Sequence, residues 1–583
     1  MPRKASGEPK TKLVERRQAN GDIYVYEVTT LYNPKKKYNE HVSSKLLRKK
    51  SSSGADILPT RPRKAPGIST VTAIRKTVGV TDILEWIGRE SGIDDDVLSS
   101  ADKGTAQKII SIARFWMANP DKAIRRIEEW QISHTIPYQE GMSEDSCYLL
   151  MKQLGQDIKV SQKYFQYRAS RAPSRASVAV DSTTVSSYSE LLNDVRFGYN
   201  KDSNGLASVK MLTLFSLSDH QPIAFSRQPG NIPDVVSVFN ALKQLSILGM
   251  DKPLLVLDGG FFSEENILRF LQAHTKFLMR GQLDSKWILP ELEPLLAEME
   301  VPSHACPEDP LKYCVTKRIS HLFSYERKRT RGGIQKGDII TKEHRLYLHL
   351  VLDTDKARLD KALLMKDIQH VKKQLEDGID TSLLTKAEAR IADRYLIIRN
   401  VRGRLVITLN DKAILKATRF YGYFVLVSNE KMDAFSALRE YRLREKTEEG
   451  FRLDKQYNDV HVTRTKSTES LEGRFFCQFV ACGYEAFFQK ELNRVKSSLA
   501  VPNDDPAHDR SDVFKKEKAL LNWLKGMSVA KLFDWFDAIQ ETTVDSPVGR
   551  ARWRTETIER DRLFLTKLGV IKSSRQTHEL KKY

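Results

Sequence analysis

Cysteine is scarce in this chain: Cys147, Cys306, Cys314, Cys477 and Cys482 are scattered over 583 residues. An odd, dispersed set builds no disulfide framework and fits reduced thiols in a cytosolic protein. His304, Cys306, Cys314 and His321 lie loosely together, but their spacing matches no common zinc module. No run approaches 18 consecutive apolar residues, and the N-terminus lacks an apolar h-region. Neither a membrane span nor a secretory signal is therefore expected. Acidic residues are also short, with 75 Asp and Glu against 95 Lys and Arg and a formal charge of +20. Half of the excess lies at the front, where the first 64 residues hold 16 Lys and Arg and 6 Asp and Glu. Clustered cations gain free energy by releasing phosphate counterions, so a polyanionic partner is the simplest reading. A basic solubilising tail is the plainer alternative. Apolar content is 40% and aromatic content 9%, enough to build cores, and the length exceeds one ordinary core.

Taken in order, residues 1–65 read as a basic arm with a small β element at Asp22–Val28, closed by Ser-Gly and Pro-Arg linker composition. Residues 66–172 show apolar spacing of helical period, with Ser143 as one N-cap and Gly155 as the matching C-cap. A helical module binding the end of a DNA duplex suits that region, although no clean helix-turn-helix can be read. At about 176 the period switches from 3.6 to 2. Ala176–Asp181, Leu206–Ser218 and Pro222–Arg227 read as strands, Asp234–Leu248 as a helix, and Pro253–Asp258 as a fully covered strand. Glu264–His274 is helical and Lys276–Arg280 is a fifth strand. The order βββαβαβ, with acids ending the first and fourth strands, resembles the ribonuclease H-like fold. There these strands are parallel neighbours, which would bring Asp181 and Asp258 together.

Residues 282–420 interrupt the plan with strand candidates and one long helix from Asp355 to about Glu376, ended at Gly378. Trp287, at its start, reads as a packed tryptophan or as a platform for an unpaired base. Tyr421–Val427 returns to the domain as a strand. A helix comes next, with Ser428-Asn429 as the expected cap pair, and Glu472–Leu492 reads as a buried helix behind it. The catalytic domain is thus expected over 173–281 and 421–500, with an insertion domain at 282–420 and a C-terminal helical region at 501–583.

Within the helix after Asn429, Arg444, Glu448 and Lys455 lie about −60°, −20° and −40° from Tyr441 at about 100° per residue. One stripe therefore carries a phenol, two cations and a carboxylate, and the expectation is that it faces away from the core. Taken alone it would be solvated surface. Likewise Asp258-Gly259-Gly260 alone is a turn, and Asp181 alone is a strand-end polar residue. The loop Gly230-Asn231-Ile232-Pro233-Asp234 reads as a turn and helix cap.

The spacing Y-x2-R-x3-E-x6-K, together with Ala176–Thr184 and Pro253–Phe261, resembles the DDE insertion-sequence transposases that carry a Y-R-E-K signature. The resemblance covers roughly residues 175–490. It implies an α/β fold, a ribonuclease H-like mixed sheet with a mixed insertion before the catalytic helix; charge and apolar spacing add a basic N-terminal region and helical flanking domains. It implies Asp181, Asp258 and Glu448 as catalytic residues and as ligands of two Mg2+ (or Mn2+) ions, which suits the oxygen preference of these cations. Tyr441, Arg444 and Lys455 are implied to bind nucleic acid at phosphates. The implied partners are the DNA of terminal inverted repeats, target DNA and a second copy of the chain in a synaptic homodimer. The implied chemistry is cut-and-paste transposition, by a hairpin route in many members, in a nucleoid-associated prokaryotic cytoplasm. The alternatives are a ribonuclease H-like nuclease without strand transfer and a catalytically inactive DNA-binding protein.

Overall fold

The structure is a computed structural model. It describes residues 9–33, 36–57, 72–173, 176–189, 192, 194–198, 205–250, 253–326, 337–401, 404–456, 462–463, 467–499, 511–546, 549–555 and 557–571. Side chains are described for these except at 404, 446–456, 462–463 and 546. The chain divides into two compact units, residues 1–74 with 542–553, and residues 75–541 with 554–583.

In the first unit, strands β1 (Lys10–Arg17), β2 (Ile23–Asn33) and β3 (Tyr38–Lys50) form an antiparallel sheet in that order. The strand expected at Asp22–Val28 is the first half of β2, where Tyr24, Tyr26 and Val28 alternate with Ile23, Val25 and Glu27. Bulges in the β2–β3 register at Val25/Tyr26 and Thr29/Thr30 let β3 carry two extra residues.

The second unit is built on one ten-stranded mixed sheet. Its centre is formed by β4 (Ser177–Ser187), β5 (Ser208–Ser216), β6 (Gln221–Pro229), β7 (Leu254–Leu257) and β8 (Lys276–Gly281), with helices α1 (Asp234–Ile247) and α2 (Glu264–Gln272) between them. The spatial order is β6-β5-β4-β7-β8; β4, β7 and β8 are parallel, while β5 is antiparallel to both β4 and β6. That is the ribonuclease H-like arrangement. Leu255, Val256 and Leu257 in β7 are fully buried, as a central strand covered on both faces requires.

Two expectations about strands change. β4 does not end at Asp181: the β-branched run Thr183-Thr184-Val185 continues it to Ser187, paired with β5 as far as Ser186↔Ser208. The 282–420 stretch does not all stand apart from the core. Strands β9 (Asp309–Glu326) and β10 (Ile339–Asp353) join the core sheet through β11 (Tyr423–Ser428), giving the continuation β9-β10-β11-β8. The segment between β10 and β11 has a small core of its own. Helix Thr354–Glu376 packs Ile368, Val371 and Leu375 against Tyr395, Leu396 and Ile407. Trp287 is a packed tryptophan, stacked on His321 with ring centroids 4.4 Å apart.

Helix α3 (Ala434–Gln456) comes after β11, and α4 (Thr468–Ser498) after α3. Asp433, not Ser428 or Asn429, caps α3, accepting from the Ser436 amide at 2.9 Å. Ser428 Oγ donates to the Phe277 carbonyl and Asn429 Nδ2 to the Thr275 carbonyl, so this pair ties β11 to β8. Helix Glu144–Gln156 has the Ser143 cap expected of it, but Gly155 lies inside the helix. A Cβ there would stand 1.8 Å from the Glu469 carbonyl oxygen, and one on Gly473 would stand 1.8 Å from that of Met151. The glycines let this helix and α4 cross in contact. Cys306 and Cys314 sit in an apolar cluster with Val351 and Leu438, where burial pushes the Cys314 thiol up to about 12. Among the described residues no helix is long and apolar enough to cross a membrane.

Candidate active site

Register alone builds the site. Val180 in β4 is paired with Leu257 in β7, and Leu257 with Met279 in β8. The next position on each strand is Asp181, Asp258 and Arg280. Asp181 is also opposite Thr213 of β5, and Arg280 is opposite Leu426 of β11, itself opposite His349 of β10. One row across six strands therefore reads Thr213, Asp181, Asp258, Arg280, Leu426, His349. Neighbouring strands lie about 4.8 Å apart, so the two carboxylates begin side by side. Side chains alternate between faces along a strand, and Asp181 and Asp258 share a face with Ala179 and Val256. Those residues pack with Ala437 and Tyr441 of α3, so α3 covers the acid-bearing face.

The structure buries the first two residues of the signature stripe, Tyr441 and Arg444, rather than exposing them. Tyr441 is 2% exposed and Arg444 3%, and both are aimed at Asp258. The Tyr441 hydroxyl donates to Asp258 Oδ1 at 3.3 Å, and an Arg444 guanidinium nitrogen lies 3.4 Å from the same oxygen. The Gly259 amide also donates to Oδ1, at 2.7 Å. Arg444 stands over the Tyr441 ring, 5.3 Å from its centroid, and burial pushes the Tyr441 phenol up to about 12. Tyr441 and Arg444 can face inward because their polar ends meet a carboxylate, while the Tyr441 ring packs in the apolar cluster beneath α3. Glu448 and Lys455 lie on the same helix, but their side chains fall outside the described residues.

The opposite face of β4 carries a second polar group. Ser182 Oγ donates to Asp234 Oδ1 at 2.6 Å, and the buried Lys210 ammonium reaches the same oxygen at 2.7 Å and the Ile232 carbonyl at 2.5 Å. Asp234 opens α1 beside Gly260, whose Cβ would lie 3.2 Å from Asp234 Oδ2. The Gly230–Asp234 loop is thus more than a turn: its Ile232 carbonyl and Asp234 carboxylate hold the Lys210 ammonium, and the same carboxylate accepts from Ser182, the residue after Asp181. Gly230 is required by close approach, since a Cβ there would be 1.9 Å from the Ser208 carbonyl oxygen.

A family profile described as "Transposase DDE domain" matches residues 173–481, just over half of the 583-residue chain. The chain belongs to that family. Among curated proteins no sequence matches it. Among solved structures it is similar to a chain in a cryo-EM structure of the piggyBac transposase synaptic complex with hairpin DNA. Identity there is 10% and the TM-score 0.32, over 85% of this chain and 83% of that one. A likeness so distant does not bear on the site.

The family normally uses divalent metal ions, and the described residues can be tested for fit to one. The Asp258 side chain is 47% exposed, and its hydrogen bonds from Gly259 and Tyr441 both go to Oδ1. The Arg444 guanidinium also lies against Oδ1. Two carboxylates at adjoining strand positions, one of them half exposed, suit a hard cation. No set of three metal-binding side chains is assembled among the described residues, and the side chain of Glu448, the third acid expected, lies outside them. Sequence reasoning misses Arg280 and Lys210. The signal for Arg280 is available, as a cation directly after the apolar run Phe277–Met279 of a strand next to an acid-tipped one. Nothing marks Lys210, since its pairing depends on a turn 22 residues away.

Proposed function

We propose that this DDE-family chain is a metal-dependent DNA transposase that cuts at the terminal inverted repeats of its element and joins the 3′ ends to target DNA. The observation that carries the reading is the placement of Asp181 and Asp258 at adjoining positions of parallel strands, beneath the helix bearing the Y-R-E-K residues. Glu448 lies one turn beyond Arg444 on the same stripe of α3, so a helix that aims Arg444 at Asp258 supports Glu448 as the third carboxylate. In this reading Asp181, Asp258 and Glu448 hold two Mg2+ or Mn2+ ions. When bound, these supply a lowered pKa for the attacking water or 3′-hydroxyl and stabilise the leaving oxygen. Arg444 and Tyr441 fix Asp258 through Oδ1, and Arg444 is a buried cation within reach of a phosphate set against that acid. Lys455, two turns further on, adds a point charge for the DNA backbone. Two chains, each holding one transposon end, make the synaptic dimer.

The test is incubation of the chain with a terminal-repeat duplex and Mg2+, with the cuts mapped on both strands. Asp181→Asn and Glu448→Gln should each lower cleavage at least about a thousandfold while end binding stays within about threefold. Metal-dependent cutting with no joining to target would make the chain a nuclease. A Glu448→Gln loss of binding as large as its loss of cutting would remove Glu448 from the catalytic set. A covalently closed end among the products would identify the hairpin route.

A further inference from the structure

The two faces of the β1–β3 sheet carry very different charge. Directly opposed residues share a face, so the register sorts every side chain. One face presents Lys10, Lys12 and Arg16 from β1 and Lys49 from β3, with His41 and no carboxylate. The other presents as many cations, Arg17, Lys45, Arg48 and Lys50, but sets them against Glu15, Glu27 and Glu40. There Lys50 pairs with Glu15 at 3.3 Å, and Glu27 lies directly across from Lys45. On the acid-free face the cations are organised by aromatic rings instead. Arg16 stands over Tyr26 at 5.0 Å and Lys49 over Tyr24 at 4.6 Å. Lys10, Lys12 and Arg16 are exposed.

We propose that the acid-free face of β1–β3 binds duplex DNA through its phosphates, without reading sequence. Four like charges on one face of a small sheet repel one another, and no carboxylate on that face offsets them. A polyanion does so, and releases its counterions in the process. The rings of Tyr24 and Tyr26 are already occupied by cations. That favours backbone contact over stacking on the bases of a single strand, which needs open aromatic platforms. The proposal does not depend on the chemistry of the acid pair, and its test contains no metal.

The experiment uses the full chain and a short labelled duplex of random sequence, titrated at several NaCl concentrations without divalent ions. One variant combines Lys10→Gln, Lys12→Gln, Arg16→Gln and Lys49→Gln; the other combines Arg17→Gln, Lys45→Gln, Arg48→Gln and Lys50→Gln. Both lose four positive charges, so bulk electrostatics change equally. The first should lose at least about tenfold in affinity, and its slope of log K against log salt should flatten by about 3 to 4. The second should change less than about threefold. The double variant Lys10→Gln with Lys12→Gln alters only exposed positions on an edge strand and guards against misfolding. Its slope should flatten by about 2. Equal losses from the two quadruple variants, no loss from the first, or tighter binding of a single strand than of the duplex would each overturn the proposal.

Discussion

The two faces of the core sheet do different work. On the face carrying Ser182, the strands contribute Val178, Val180, Leu212, Leu214, Leu255, Leu257, Phe277 and Met279, packed beneath α1 and α2 as part of the main core. On the opposite face the same strands supply Asp181, Asp258 and Arg280, with His349 in the same row. The apolar cluster beneath α3 there is much smaller, built around Ala179, Val256, Leu278, Leu426 and Tyr441. One face holds the sheet in register, and register is what sets the acids side by side on the other. A one-residue slip of β7 against β4 would turn Asp258 to the wrong face and cost the whole apolar set. Positional accuracy at the site is therefore supplied from behind it.

That division predicts substitutions that separate stability from chemistry. The largest effect on folding should come from Phe277→Ala. Phe277 is fully buried and packs on Phe270 of α2 with ring centroids 5.3 Å apart. Emptying that site should cost about 3–5 kcal/mol, read as a lower denaturant midpoint with an unchanged slope. The molecules that remain folded should still cleave with the parent metal dependence. Loss of metal-dependent cutting from a fully folded Phe277→Ala protein would mean that the two faces are not separable.

A smaller effect, tied to pH, belongs to the acid-bearing side. His349 is fully buried, with Nδ1 paired to the Thr316 hydroxyl at 2.8 Å. Burial holds its imidazole down at about 4, only partly opposed by Asp433. The unfolded chain takes up the proton near pH 6.5 while the folded chain does not. Stability is thus fully present above about 6.5, falls as the pH drops toward 4, and is then flat with respect to this group. The loss should be about 2 kcal/mol between pH 7 and pH 4.5, measured by urea denaturation at those two values. In His349→Leu the difference between those two pH values should shrink by about that amount. Parallel losses in parent and variant would show that the ring is not the titrating group.

These contrasts also mark what is legible in the sequence alone. The strand order and the two acids are legible because apolar runs ending in Asp181 and Asp258 state both burial and a break in it. The inward turn of Tyr441 and Arg444 is not, since a polar stripe reads as surface unless its buried partner is known, and that partner is 183 residues away from Tyr441. The addition of β9 and β10 to the core sheet is equally hidden. It depends on β11 returning as their neighbour, a long-range pairing that periodicity does not encode. Gly155 reads as a helix end because composition cannot distinguish a cap from a crossing point, and only the Glu469 carbonyl reveals which it is.

The finest test of the comparison is Tyr441→Phe. The phenol donates to Asp258 Oδ1 at 3.3 Å, a long contact, and the Gly259 amide holds the same oxygen at 2.7 Å. Because burial pushes its pKa up to about 12, Tyr441 is a neutral donor throughout the working range and adds no limb to a pH–rate profile below about pH 10. Removing one long hydrogen bond while the ring stays under Arg444 should cost about 1 kcal/mol or less, a fall in cleavage of under about fivefold. Such a result would leave Tyr441 as a positioning residue that sets the angle of a carboxylate held chiefly by Gly259 and Arg444. A fall as deep as that of Asp181→Asn would instead place the hydroxyl among the reacting groups. The α3 face would then contribute a catalytic proton donor, and its burial would serve chemistry directly rather than alignment.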